Sequence, residues 1–179
     1  MKYSQPIIVE GWYKIAEKYS SWAQYGMTMH SKLVPKEDWN WLESIVCPAL
    51  KKVTGLDHKI NLCINFFVAP KKTRGIHLDY PNPRQPNWAL NIPIINYEDS
   101  EMLWYSGDYS QYTYHRPGGM DSERITWNSE PTLIESYSIK EPTLVYVDVP
   151  HDVINHSSLP RVLMSIRTTP NILPVDNDK

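Results

Sequence analysis

Two short stretches of this sequence carry side chains able to hold a metal ion. His77-Leu78-Asp79 lies in the β-like run Gly75 to Tyr80, and because strand side chains alternate with a period of two, the imidazole and the carboxylate project from one face. His151 follows the apolar run Thr143 to Val149, far enough along the chain for two packed sheets to fold it back onto the first pair. Two imidazole nitrogens and one carboxylate oxygen form a facial triad, which leaves open positions on an octahedral iron(II) for oxygen chemistry. The His-x-Asp pair alone is a weak signal, since an exposed pair on a strand edge has the same spelling. His156 is a second claimant for the third ligand position; it sits in Asn155-His156-Ser157-Ser158, a composition suited to a turn, so His151 is preferred.

These groups need a scaffold, and the texture of the chain changes at residue 60. Before it, residues 1–59 read as helical. Pro35-Lys36-Glu37-Asp38 places proline and acids at a helix start, and Trp39, Leu42, Ile45 and Val46 follow at helical spacing. Pro48 is expected to end or kink that helix, and Glu10 to Tyr25 gives a second, less regular helix. After residue 60, β-rich runs alternate with Pro, Gly, Asn and Asp clusters, as in an all-β sandwich or barrel. Strands are expected at 60–69, 75–80, 87–95, 101–105, 110–115, 132–139, 143–149 and 160–168, with 151–155 a short continuation. Residues 106–131, containing Arg116-Pro117-Gly118-Gly119, read as an inserted hairpin or loop, and 170–179 as a flexible tail.

From 60 to 168, the order His-x-Asp, then Pro150-His151-Asp152-Val153-Ile154-Asn155, then Arg161 ten residues after the histidine, resembles the iron(II)/2-oxoglutarate-dependent dioxygenases. Trp88-Ala89-Leu90-Asn91-Ile92-Pro93-Ile94 is similar to the strand after that motif in the aspartyl/asparaginyl-hydroxylase-like and phage-type small members. The resemblance implies a mainly β fold, a jelly-roll or cupin-like double-stranded β-helix of residues 60–168, with the N-terminal helices packed on one sheet. It implies Fe(II) on His77, Asp79 and His151, with 2-oxoglutarate as co-substrate and O2 as oxidant. Substrate would be hydroxylated as 2-oxoglutarate becomes succinate and CO2. Arg161 would grip the distal carboxylate with its planar fork. Arg167 is the alternative; it shares strand parity with Arg161 but lies roughly 20 Å further along a strand, so only one can serve. Asn91 either hydrogen-bonds the co-substrate or satisfies backbone at a bend. The chain departs from the family at Leu163, where many members have serine, so that hydrogen bond must come from elsewhere, for instance a tyrosine.

Composition narrows the rest. At 179 residues, with 41% apolar content, one domain with one substantial core is expected. A net charge of −2 without long Lys/Arg runs gives no footprint for nucleic acid or an anionic membrane. No 18-residue apolar stretch occurs, and a cytoplasmic protein is expected, acting on a small molecule or a protein side chain. Cys47 and Cys63 read as buried free thiols. His30, His58 and His115 have no assigned role, and Tyr80, Trp88, Trp104, Tyr105 and Tyr114 read as core before pocket wall. Two rivals remain: a cupin-like metal enzyme that has no use for Arg161, and a non-catalytic module using the aromatic insertion as a partner surface.

Overall fold

Three runs in the chain, Lys59–Val68, Trp88–Ile95 and Arg161–Thr169, are buried at most positions, so a sheet built from them must be covered on both faces. The computed structural model, which describes residues 2–27, 29–79, 88–114 and 122–172, shows how. In chain order the strands are β1 (Ser4–Pro6), β2 (Ser31–Leu33), β3 (Lys59–Val68), β4 (Lys72–Thr73), β5 (Trp88–Ile95) and β6 (Ser100–Ser106). There follow β7 (Tyr109–Tyr114), β8 (Ser122–Trp127), β9 (Thr132–Tyr137), β10 (Thr143–Tyr146), β11 (His151–Asn155) and β12 (Arg161–Thr169). One sheet has the order β1-β10-β5-β12-β3-β2 and a second β4-β11-β6-β9, with all pairings antiparallel. Helices α1 (Trp12–Tyr19) and α2 (Trp39–Thr54) precede β3.

Strand parity divides the core. Val162, Met164 and Ile166 of β12 pack with Leu90 and Ile92 of β5 and with Ile15, Leu42, Val46 and Leu50 of the helices. Leu163 faces the other way, joining Val68, Ala89, Met102, Val147 and Val153 between the two sheets. The helices therefore cover the outer face of the larger sheet, as expected. Burying each of these Val, Leu, Ile and Met side chains is worth about 1.5–3 kcal/mol.

Several expectations change. Helix α2 runs through Pro48 to Thr54; the apolar stripe continues past the proline through Ala49 and Leu50, and that burial outweighs the lost backbone bond. The helix ends instead at Gly55, whose left-handed φ of 74° suits glycine. Pro93 sits within an interior strand without breaking it, because β12 shifts register there, pairing Val162 with Ile95 and Leu163 with Pro93. Residues 151–155 do not continue the preceding strand: β10 lies in the larger sheet and β11 in the smaller, so the chain crosses between sheets in the turn before His151. Residues 75–79 form no strand and touch β11 through a single bridge, His77 to His151. The insertion contains the antiparallel β7–β8 hairpin. Of the expected tail, Ile172 is buried in the core and the Pro170 carbonyl accepts from Thr168. Tyr80, residue 87, His115, Arg116-Pro117-Gly118-Gly119 and 173–179 lie outside the described residues. Both cysteines are free, Cys63 buried and Cys47 half-buried.

Candidate metal centre

Extended backbone on either side of the His77–His151 bridge brings three ligating groups together. His77 and His151 exchange backbone hydrogen bonds, His77 N to His151 O at 2.9 Å and His151 N to His77 O at 3.0 Å. The imidazoles consequently lie with ring centroids 4.5 Å apart. Asp79, two residues on from His77, turns its Oδ1 to both: 3.7 Å from His77 Nε2 and 3.8 Å from His151 Nε2. The three donor atoms all lie within 4.8 Å of one another.

The protonation states suit a cation. His77 Nδ1 is 2.8 Å from the Gly75 carbonyl and His151 Nδ1 is 2.9 Å from the Val149 carbonyl. A carbonyl can only accept, so each Nδ1 carries the proton and each Nε2 presents a lone pair to the site. Burial lowers the pKa of both imidazoles, keeping them neutral at physiological pH. Burial by itself would raise the Asp79 carboxyl, but the Arg167 guanidinium, which donates to its Oδ2, reverses the sign and holds it well below the usual carboxylate range. Two neutral nitrogens and one ionised oxygen are thus fixed in orientation by partners outside the cluster. That donor set fits a divalent first-row metal, and the two carboxylate-to-imidazole spacings of 3.7 and 3.8 Å exceed those set by about 2.1 Å bonds by under about 1 Å.

The pocket behind the cluster is lined by His77, Asp79, His151, Asn91, Arg74 and Arg161, with Phe66, Met102, Val147, Val153 and Leu163 as its apolar wall and Ser165 beside them. Arg161 is 2% exposed; its Nε donates to Ser100 Oγ at 2.8 Å, and that hydroxyl donates to the Tyr97 carbonyl. Burial and the Arg74 charge push the Arg161 pKa down to about 9, which leaves it a cation at neutral pH. Arg161 is placed by the turn between β11 and β12. There the buried Asn155 amide donates to the carbonyls of Val68, Ala69 and Leu159 and accepts from Ser157 N. Asn91, from β5, is 6% exposed and its Oδ1 has no hydrogen-bond partner, an orphaned polar atom inside the pocket that a ligand can satisfy.

The structure separates the alternatives that the sequence left open. His156 has a half-exposed side chain 3.9 Å from Glu101, away from the triad, so His151 is the histidine brought to His77 and Asp79. Arg161 lines the pocket, whereas Arg167 engages Asp79 from the far end of β12. Trp88 packs towards the helices and Trp104 lies between the sheets with its Nε1 on the Tyr146 carbonyl; these two and Tyr105 are outside the pocket lining. Sequence reasoning missed Arg74, Phe66 and Ser100. Arg74 follows the expected turn and carries no spacing signal, and the other two are legible only once β3 and β6 are registered.

No family model and no curated protein matches the chain. Solved structures share its fold, a double-stranded β-helix. The apo form of ThoJ, a non-heme monooxygenase, matches with a TM-score of 0.56 at 12% identity, over 95% of this chain and 75% of its own. SnoK, a non-heme alpha-ketoglutarate-dependent carbocyclase from nogalamycin biosynthesis, matches with a TM-score of 0.50 at 9% identity, over 92% of this chain and 78% of its own. An oxidoreductase of the 2OG-Fe(II) oxygenase family from Burkholderia pseudomallei matches at 14% identity and a TM-score of 0.38; this chain spans 46% of its length. No described helix is long and apolar enough to cross a membrane.

Proposed function

We propose that this protein is an iron(II)- and 2-oxoglutarate-dependent oxygenase that hydroxylates a small molecule or a protein side chain. The observation that carries the reading is the meeting of a His77/Asp79/His151 cluster with the buried Arg161 in one pocket between the sheets. His77, Asp79 and His151 would hold Fe(II) through Nε2, Oδ1 and Nε2. Bound iron, with O2 and 2-oxoglutarate, would supply the oxidising power that converts the keto acid to succinate and CO2 and the substrate C–H to C–OH. Arg161, with its Nε committed to Ser100, would offer its remaining donors to the distal carboxylate. Asn91 would hydrogen-bond the co-substrate near the metal. The wall of Phe66, Met102, Val147, Val153 and Leu163 would exclude water. The neighbours' fold supports this reading, as does the order of the motifs along the chain.

The test is an anaerobic titration of metal-free protein with Fe(II) and then 2-oxoglutarate, following the visible charge-transfer absorption of the chelate. The band should form in wild type and His156→Ala, be absent in His151→Ala, and need more 2-oxoglutarate in Arg161→Ala. Iron binding without a band would overturn the 2-oxoglutarate assignment in favour of another metal-dependent activity. Failure to bind iron would overturn the enzyme reading and favour a binding module.

A further inference from the structure

Among the described residues, the pocket is lined by one more cation than the proposed reading uses. Arg74 lines it together with Arg161 and the three ligating residues, and the pairing register fixes the depth of each. His151 faces Trp104, Val153 faces Met102 and Asn155 faces Ser100 along β11 and β6. Arg74 N donates to the Val153 carbonyl, which puts Arg74 one pleat, about 7 Å, below the His77–His151 bridge. Across the barrel, Leu163 pairs with Phe66 and Arg161 with Val68. The Arg74 guanidinium lies on Phe66, its Cζ 4.2 Å from the ring centroid. Arg161 therefore enters from the β11–β12 turn and Arg74 from the segment after β4, and both line one pocket with the ligating cluster.

We propose that Arg74 is a second guanidinium of the co-substrate site, so that Arg74 and Arg161 together grip the distal carboxylate of a 2-keto diacid. This rests on the oxygenase reading above. Among the described residues, Asp79 is the only acid lining the pocket, and Arg167 engages it from outside that lining; two guanidiniums beside it suit an entering anion. Leu163, between Arg161 and Ser165, supplies no donor; Arg74 supplies donors at that depth instead. The Phe66 ring, 4.2 Å from the Arg74 Cζ, holds the guanidinium against the pocket wall, which places its donors before the ligand arrives. Arg74 also depresses the pKa of Arg161, in keeping with their closeness.

The experiment compares two 2-keto acids on the Fe(II)-loaded protein under anaerobic conditions. 2-Oxoglutarate carries the distal carboxylate and 2-oxobutyrate has the same chelating end without it. Half-saturation is read from the chelate absorption or by calorimetry, with wild type, Arg74→Gln, Arg74→Lys and Arg161→Gln in parallel and bound iron measured as the check on folding. Arg74→Gln should weaken 2-oxoglutarate roughly ten- to hundred-fold, the size of a charge-assisted hydrogen bond, and leave 2-oxobutyrate within about twofold. Arg74→Lys should recover part of the loss, because a point charge replaces a fork. Equal weakening of both acids, or of neither, would overturn the role of Arg74 while leaving the oxygenase reading intact. Absence of any 2-oxoglutarate binding to iron-loaded wild type would overturn both.

Discussion

Asn155→Ala offers the sharpest test of how the turn after β11 builds the pocket. The Asn155 side chain is fully buried; its Nδ2 lies 3.0 Å from the Val68 carbonyl, 3.3 Å from that of Ala69 and 2.8 Å from that of Leu159, and its Oδ1 is 3.0 Å from Ser157 N. Two N–H bonds serve three acceptors, so the amide contributes about three net hydrogen bonds at roughly 1 kcal/mol each. Water can reach part of the Ser157–Leu159 turn after truncation, which lowers the expected cost to about 2–3 kcal/mol. For a chain of this length that corresponds to a fall in Tm of about 4–12 °C. Arg161 begins β12 two residues beyond Leu159, so the loosened turn should also weaken 2-oxoglutarate. Asn155→Asp separates packing from donation: its carboxylate keeps the acceptor for Ser157 but faces three carbonyls, so it should be at least as destabilising as alanine at pH 7.5. The assay is urea unfolding of the metal-free proteins at equal m-values. A loss under about 0.5 kcal/mol for alanine, or an aspartate variant as stable as wild type, would refute the argument that donation to buried carbonyls holds this turn.

Three further outcomes follow from the geometry. His151→Ala should abolish iron binding by equilibrium dialysis, while His156→Ala, whose ring lies near Glu101, should leave it within about twofold; the opposite pattern would exchange the two histidines. Gly26→Ala would bring a Cβ to 2.4 Å from Pro160 Cβ, so it should lower stability by about 1–3 kcal/mol and, by moving the start of β12, raise the 2-oxoglutarate half-saturation; an unchanged Tm would show that the contact relaxes freely. Tyr19→Phe removes the donor to Asp38 at 2.5 Å and should cost about 1–2 kcal/mol at pH 7. Lys18 first, and then Tyr19, hold the Asp38 carboxyl below its ordinary value. Its contribution is therefore complete above the unfolded carboxylate pKa and fades as pH falls below it. The gap between variant and wild type should narrow on acidification, and a gap that widens would contradict the assignment.

Much of this protein is written locally. Period-two spacing puts His77 and Asp79 on one side of any extended backbone, and the structure keeps them so even though 75–79 form only a bridge and not a strand. The strand boundaries of β3, β5, β6 and β12 and the start of α2 near Pro35 to Asp38 were legible because alternation, apolar runs and turn residues act over a few positions; the packing of the helices on one sheet came only from the family resemblance. The family resemblance pointed to Arg161, with Arg167 as its alternative, and left Asn91 open between co-substrate and backbone; Arg161 and Asn91 both line the pocket.

What tertiary structure decided depends on contacts between distant segments. Whether His151 or His156 meets the first pair turns on which residue faces His77 across the sheet edge, and no spacing within 151–156 encodes that. Pro48 ends a helix by local rules, yet burial of Ala49 and Leu50 against the larger sheet carries α2 onward. Arg161 and Arg167 have equal parity and equal charge; register against Val68 at one end and Leu62 at the other sends one to the pocket and the other to Asp79. Arg74 has no sequence signature at all, because its place beside the metal cluster depends on contacts between distant segments, among them its backbone hydrogen bond to Val153 and the ring of Phe66. Local pattern specifies which groups share a face; only the packing of two sheets specifies which faces meet.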